Sequence, residues 1–174
     1  MNNKIAILRG INVGGKRKIL MADLKQMFQD LGFTDIKTYI QSGNVIFKAN
    51  AENKELENKI ESAIKDKFGF DVPVIVRTSK ELIESIGRNP FYKPNADIKN
   101  LHLTFLKKEP GKENKQFTET YNYEPDKFII DEKDVFVFCE GKYHQSKLTN
   151  NFFEKKLKVG ATTRNWKTIL KLVE

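Results

Sequence analysis

The residues best placed to do chemistry open the chain: Leu8-Arg9-Gly10-Ile11-Asn12-Val13-Gly14-Gly15-Lys16-Arg17. Gly10, Gly15 and Lys16 have the Gly-x4-Gly-Lys spacing of a phosphate loop. In such a loop, backbone N–H groups wrap a phosphate and the lysine reaches it. The match then breaks down. Arg17 stands where a Ser or Thr would hold Mg²⁺, and the helical periodicity begins several residues too late. The hairpins expected around the loop also differ from the parallel sheet of phosphate-loop nucleotidases. Two readings stay open: a flexible glycine connection, or an anion-binding loop that combines exposed N–H groups with the charges of Lys16, Arg17 and Lys18.

A second group is Gln41-Ser42-Gly43-Asn44, which is either a plain turn or a set of donors and acceptors for a ligand. A third is Thr162-Thr163-Arg164-Asn165-Trp166, where Thr162 or Thr163 has the character of a helix N-cap. A cation at a helix N-terminus opposes the dipole, so Arg164 there would either serve an anion or simply be solvated. Trp166 continues an apolar stripe with Ile169, Leu170 and Val173 and is expected in the core. Catalytic chemistry has little support. His102 and His144 lack companions at metal-ligand spacing, so neither a metal nor a cofactor is expected. Cys139 ends an apolar strand and reads as a packed small hydrophobe. Asp131, Glu132 and Asp134 read as a solvated turn.

The elements that must position these groups follow from periodicity. Ile5–Arg9 is a short strand, and Leu20, Leu24, Met27, Phe28 and Leu31 form a helical stripe that Gly32 stops. Ile36–Ile40 and Val45–Lys48 are strand-like runs joined across the 41–44 turn. Leu56, Ile60, Ala63, Ile64 and Phe68 mark a second helix ended by Gly69, and Pro73–Arg77 is another strand. This order, β-α-β-β-α-β, is the ferredoxin-like pattern: an antiparallel sheet with both helices on one face. Thr78-Ser79-Lys80-Glu81 is a capping-box pattern that opens a short helix, which Gly87 should close.

The expected organisation is therefore α+β. A ferredoxin-like subdomain spans 1–87, a Pro-containing linker covers 88–100, and a second α+β subdomain spans 101–174. In the latter, Leu101–Leu106, a weak helix over Lys112–Tyr121, a hairpin of Phe128–Ile130 with Val135–Cys139, and a helix capped by Thr149 repeat the order. A last helix follows Gly160. The pattern predicts a duplication whose second copy is modified at its end.

Composition sets the frame. Hydrophobic residues make up 39% and charged residues 31%, a globular balance, and no apolar run approaches the ~20 residues of a membrane span. A single cysteine and the lack of an N-terminal leader pattern point to the cytoplasm. The net charge of +8 is unevenly distributed. Residues 1–22 carry +5 with no acid, residues 141–173 carry +7 with Glu154 as the one acid, and 23–140 carry −3. If the two ends meet in the fold, they form a basic surface suited to anions.

The strings Leu8–Gly15, Thr38-Tyr39-Ile40-Gln41-Ser42-Gly43-Asn44-Val45 and Thr162–Trp166 together closely resemble the bacterial family called domain of unknown function 1697. The resemblance runs essentially end to end. It implies a cytoplasmic bacterial protein with a ferredoxin-like α+β arrangement and supplies no catalytic residues. In a ferredoxin-like unit the loop after the first strand and the turn before the third lie at one end of the sheet. Arg9, Gly10, Asn12, Gly14, Gly15, Lys16 and Arg17 should then neighbour Gln41, Ser42 and Asn44, with Arg164 and Asn165 joining if the last helix docks there. The expected function is binding of an anionic or phosphorylated ligand, either nucleic acid or a small metabolite, in this polar cleft. The competing expectations are an enzyme acting on a phosphorylated small molecule and a non-catalytic interaction module. Against nucleic acid, Tyr39 and Phe47 make a thin stacking platform.

Overall fold

The computed structural model describes all residues 1–174. The chain folds as two compact units, Met1–Leu82 and Ile83–Glu174. In the first, strand β1 (Asn2–Leu8) leads to helix α1 (Met21–Asp30), the hairpin β2 (Thr34–Tyr39) and β3 (Asn44–Ala49), helix α2 (Asn53–Phe68) and strand β4 (Val74–Thr78). The sheet order is β2-β3-β1-β4, antiparallel throughout, which is ferredoxin-like. Leu24, Met27 and Phe28 of α1 and Leu56, Ile60 and Ile64 of α2 lie at helical spacing and are buried on one side of the sheet with Val45, Phe47, Val74 and Val76. Phe47 is therefore a core residue, its ring 5.2 Å from Phe28 and 4.8 Å from Phe33, and it is not part of a stacking platform.

Helix α3 (Ser79–Arg88) carries the boundary between the units. Its capping box is formed in both directions: the Thr78 N–H donates to Glu81 Oε2 at 2.7 Å and the Glu81 N–H donates to Thr78 Oγ1 at 3.0 Å. Gly87 does not end the helix, which continues to Arg88. That side chain forms ion pairs with Asp131 at 2.5 Å and Asp134 at 2.7 Å. Asp134 is 3% exposed and also accepts from Ser85 Oγ at 2.5 Å, so the 131–134 acids are not a merely solvated turn.

The second unit comprises strand β5 (Leu101–Leu106), helix α4 (Lys112–Thr118), the hairpin β6 (Lys127–Asp131) and β7 (Asp134–Phe138), helix α5 (Asn150–Leu157), strand β8 (Ala161–Asn165) and helix α6 (Trp166–Lys171). A single 3-10 turn, Ile98–Asn100, precedes it within the 88–100 stretch. The sheet order β6-β7-β5-β8 reproduces the first sheet strand for strand. The duplication is thus complete in topology. The end of the copy is not replaced by helix: Ala161–Asn165 is its fourth strand, paired with β5 from Ala161 opposite Leu106 to Asn165 opposite His102. Thr162 and Thr163 lie on that strand. The cap of α6 is Asn165, whose side chain accepts from the Thr168 N–H at 2.9 Å. Thr149 does cap α5, through Phe152 N–H, and Trp166 is fully buried. No helix is long and apolar enough to cross a membrane.

Candidate site at the glycine loop and the hairpin tip

β1 is a central strand, flanked by β3 and β4, so the loop leaving its end emerges beside the β2–β3 turn. Two backbone bonds fix that exit: Leu8 N–H to Gly43 O at 2.8 Å and Arg9 N–H to Pro73 O at 3.0 Å. The loop then reverses twice. Gly10, Asn12, Gly14, Gly15 and Arg17 all have positive φ. Lys16 N–H closes a tight turn on Val13 O at 3.0 Å, and Asn12 N–H bonds Arg17 O at 3.1 Å. The 10–18 segment is therefore an ordered small hairpin, with Gly14 and Gly15 at its tip. Lys16, Arg17 and Lys18 are all exposed around that tip. The Arg17 guanidinium folds back over Gly10, where a Cβ would meet Nη1 at 3.2 Å.

Asn12 ties this hairpin to the second one. Its Oδ1 accepts from Ile19 N–H at 2.8 Å, and its Nδ2 donates to Ile19 O and to Gln41 O, each at 2.9 Å. The structure thus brings Arg9, Gly10, Asn12, Gly14, Gly15, Lys16 and Arg17 to the same end of the sheet as Gln41, Ser42 and Asn44. It also divides their labour. Asn12 spends its whole amide on the backbone. Asn44 is fully buried and donates to Tyr39 O at 3.0 Å and Ser42 Oγ at 3.3 Å, bracing the turn. Gln41, Lys16 and Arg17 are exposed, the Arg17 guanidinium lying over Gly10. The sequence pattern does not distinguish the amides that hold the loop from the side chains free to meet a ligand. The positive φ of Asn12, a conformation Asn tolerates better than most residues, is the signal that marks it.

Arg164 and Asn165 belong to the second unit. Arg164 lies on β8, with Nη1 donating to Thr163 O at 3.1 Å, and burial lowers its pKa to about 10. Asn165 is engaged as the α6 cap.

A polar cluster in the second unit joins residues that no sequence motif links. Thr104 and Thr163, opposite each other on β5 and β8, share a hydrogen bond of 2.7 Å between hydroxyls, and Thr163 donates to Asn150 Oδ1 at 3.0 Å. The Tyr143 hydroxyl accepts the Asn150 N–H at 3.0 Å, and the Tyr143 ring stacks on His102 at 4.4 Å between centroids. Burial lowers the His102 pKa to about 4, raises that of the Tyr143 phenol against the pull of its hydrogen bonds, and raises that of the Cys139 thiol. All three side chains are thereby held in their neutral forms at neutral pH. That suits packing and does not suit a thiolate nucleophile or a histidine that takes up a proton. No group of three or more His, Cys, Asp or Glu side chains is arranged to hold a metal ion.

A family model described as protein of unknown function, DUF1697, matches residues 1–136. Among solved structures, that of a conserved bacterial protein from Streptococcus pneumoniae superposes with a TM-score of 0.79 at 23% identity, covering 99% of this chain and 97% of that one. At that identity the likeness concerns the fold. Comparison with curated proteins gives no match.

Proposed function

We propose that this chain, which belongs to the DUF1697 family, binds a phosphate-bearing anionic ligand through the 10–18 hairpin and the adjoining 41–44 turn. One observation carries the reading. Three consecutive cations, Lys16, Arg17 and Lys18, stand exposed around a glycine tip that the Asn12 amide holds in place, within a 22-residue stretch that contains no acid. A preorganised cationic tip loses little entropy when it meets an anion, and clustered Lys and Arg attract phosphates over a Debye length. The tip is open to solvent on the projecting end of a hairpin. This geometry favours a long polyanion, nucleic acid, over a small metabolite that would need enclosure. The same proposal sets the protein in the cytoplasm, where such partners are found.

The test is fluorescence anisotropy with labelled single-stranded and duplex DNA and RNA at low and physiological salt, on the wild type and on Lys16→Ala/Arg17→Ala. Binding should weaken steeply with salt, with a log–log slope of about −0.9 per phosphate contact on duplex DNA. The double substitution should lower both affinity and slope. An affinity unchanged by the double substitution would remove the loop from the interface. No binding at low salt would turn the search to nucleotides and other small phosphorylated compounds, titrated calorimetrically against the same variant.

A further inference from the structure

A four-stranded antiparallel sheet has two edges, and an exposed edge presents unpaired N–H and C=O groups to any passing strand. This chain has four such edges, and three are blunted. Along β4, the N–H groups of Val74, Val76 and Thr78 donate to the carboxylates of Glu61, Glu57 and Glu81 at 2.9, 3.0 and 2.7 Å. Along β8, Ala161 N–H donates to Glu154 and Ala161 O accepts from Asn150, both at 3.0 Å. β2 is broken by a register shift between Thr34 and Lys37, with Asp35 at φ 51°. The fourth edge, β6, has none of these devices. Its five residues pair with β7 without a register break, and Ile129 is 42% exposed. A cleft of about 470 Å³ that Phe128, Ile129 and Ile130 help to line leaves room beside the strand.

The orientation of the backbone groups on β6 follows from its neighbours. Cys139 N–H donates to Asn100 O and Leu106 N–H to Lys133 O, so the odd-numbered residues of β7 and its flanks face β5. Asp134, Phe136 and Phe138 then face β6 and bond Asp131, Ile129 and Lys127. The groups that point outward are those of Phe128 and Ile130.

We infer that β6 is the pairing edge for a second copy of this chain, antiparallel about a two-fold axis at Ile129. The segment Lys127-Phe128-Ile129-Ile130-Asp131 matches itself in that register. Phe128 falls opposite Ile130 of the second copy, so the two residues with outward backbone groups exchange both hydrogen bonds. Ile129 meets Ile129 as the close, non-hydrogen-bonded pair, which covers the exposed side chain. Lys127 falls opposite Asp131 of the second copy, and Asp131 opposite its Lys127, so both ends carry opposite charges. Asp131 keeps Arg88 as its partner within the chain and, half-exposed, can take a second cation. A one-residue shift of register would place inward-facing backbone groups opposite outward ones and lose the hydrogen bonds. The product is one eight-stranded sheet shared by two chains, an isologous contact of the kind that closes.

Sedimentation velocity on the wild type should show a monomer–dimer equilibrium in the micromolar range. Ile129→Lys, which sets two ammonium groups face to face, should weaken it by more than about tenfold while leaving the circular dichroism unchanged. Cysteine cross-linking reads the register. Ile129→Cys places two β-carbons about 5 Å apart and should give a symmetric disulfide under mild oxidation, the native Cys139 being buried. Lys127→Cys leaves its two sulfurs roughly 13 Å apart and should not cross-link. A wild type that sediments as a monomer throughout, a dimer indifferent to Ile129→Lys, or cross-linking at 127 in place of 129 would each overturn the inference.

Discussion

Glu57 Oε1 accepts the backbone N–H of Val76 at 3.0 Å, and Glu57 is only 3% exposed. A buried acid on a helix is thus accounted for by the outer edge of the strand that follows it. Glu61, one turn on, serves Val74 in the same way. The second unit repeats the device with Asn150 and Glu154 of α5 against β8. The two halves share little visible identity, yet each uses polar side chains four residues apart to close its last strand. The duplication is therefore physical as well as topological.

Glu57→Leu should be costly, because it leaves the Val76 N–H buried without an acceptor. The loss is expected at about 2 kcal/mol, from the usual 1–3 kcal/mol for an orphaned buried polar group. Glu57→Gln keeps an acceptor oxygen at the same reach and should recover more than half of that. Urea unfolding of the three proteins measures both, and an equal loss in Leu and Gln would mean that charge, not the hydrogen bond, matters at this position.

Arg88 and Asp134 form a pair of unequal burial: the arginine side chain is 35% exposed and the aspartate 4%. Arg88→Ala removes the charged partner of the buried aspartate and leaves its bond from Ser85 in place. It should destabilise by roughly 3 kcal/mol, whereas removing both partners in Arg88→Met/Asp134→Leu should cost less than the single change. A double-mutant cycle followed by thermal unfolding decides this. A double variant worse than Arg88→Ala would make the pair a net contributor rather than a mutual neutralisation.

The element order was legible because hairpin turns and helix stops are local: Gly32, Gly69 and the Thr78–Glu81 box each announce themselves within four residues. β8 was not, because its character comes from its partner. Ala161-Thr162-Thr163-Arg164-Asn165 shows no apolar alternation, and Thr163 faces Thr104 through a hydroxyl pair where an apolar contact would be expected. Asp134 looked solvated for a similar reason: Arg88, its counterion, lies 46 residues away in sequence. At the glycine loop, the meeting with the hairpin tip followed from topology alone, while the fastening role of Asn12 depended on carbonyls that no motif encodes.

His102 makes stability depend on pH in a predictable direction. Burial holds its folded pKa at about 4, below the 6.5 of an unfolded histidine, so between those values the unfolded state binds more protons. The contribution of this group is fully present above pH 6.5 and is lost as pH falls toward 4, with a slope of up to about 1.4 kcal/mol per pH unit. His102→Phe keeps a ring to stack on Tyr143 and cannot titrate. The difference between wild-type and variant urea-unfolding free energies should therefore change across pH 6.5 to 4 and stay level above 7. A difference flat over the whole range would mean the imidazole charges freely in the folded protein.

Gly43 and Gly14 both sit at positive φ, 91° and 58°, but in different surroundings. A Cβ on Gly43 would meet Ile11 Cδ1 at 2.7 Å and Leu8 Cβ at 2.9 Å, where the two loops close on the end of β1, whereas one on Gly14 would meet nothing within 4 Å. Gly14→Ala then bears only the backbone penalty, about 1 kcal/mol. Gly43→Ala adds a clash with buried aliphatic atoms and should lose roughly 3 kcal/mol. The effects on the site should part as well. Gly43→Ala pushes the 41–44 turn away from Ile11 and so lengthens the bond from Asn12 to Gln41 O, loosening the fastening that holds the cationic hairpin. Amide hydrogen exchange at Ile19, whose N–H bonds Asn12, should accelerate in Gly43→Ala by more than global destabilisation explains and remain near wild type in Gly14→Ala. Equal exchange in the two variants would show that the loop keeps its shape without the hairpin tip.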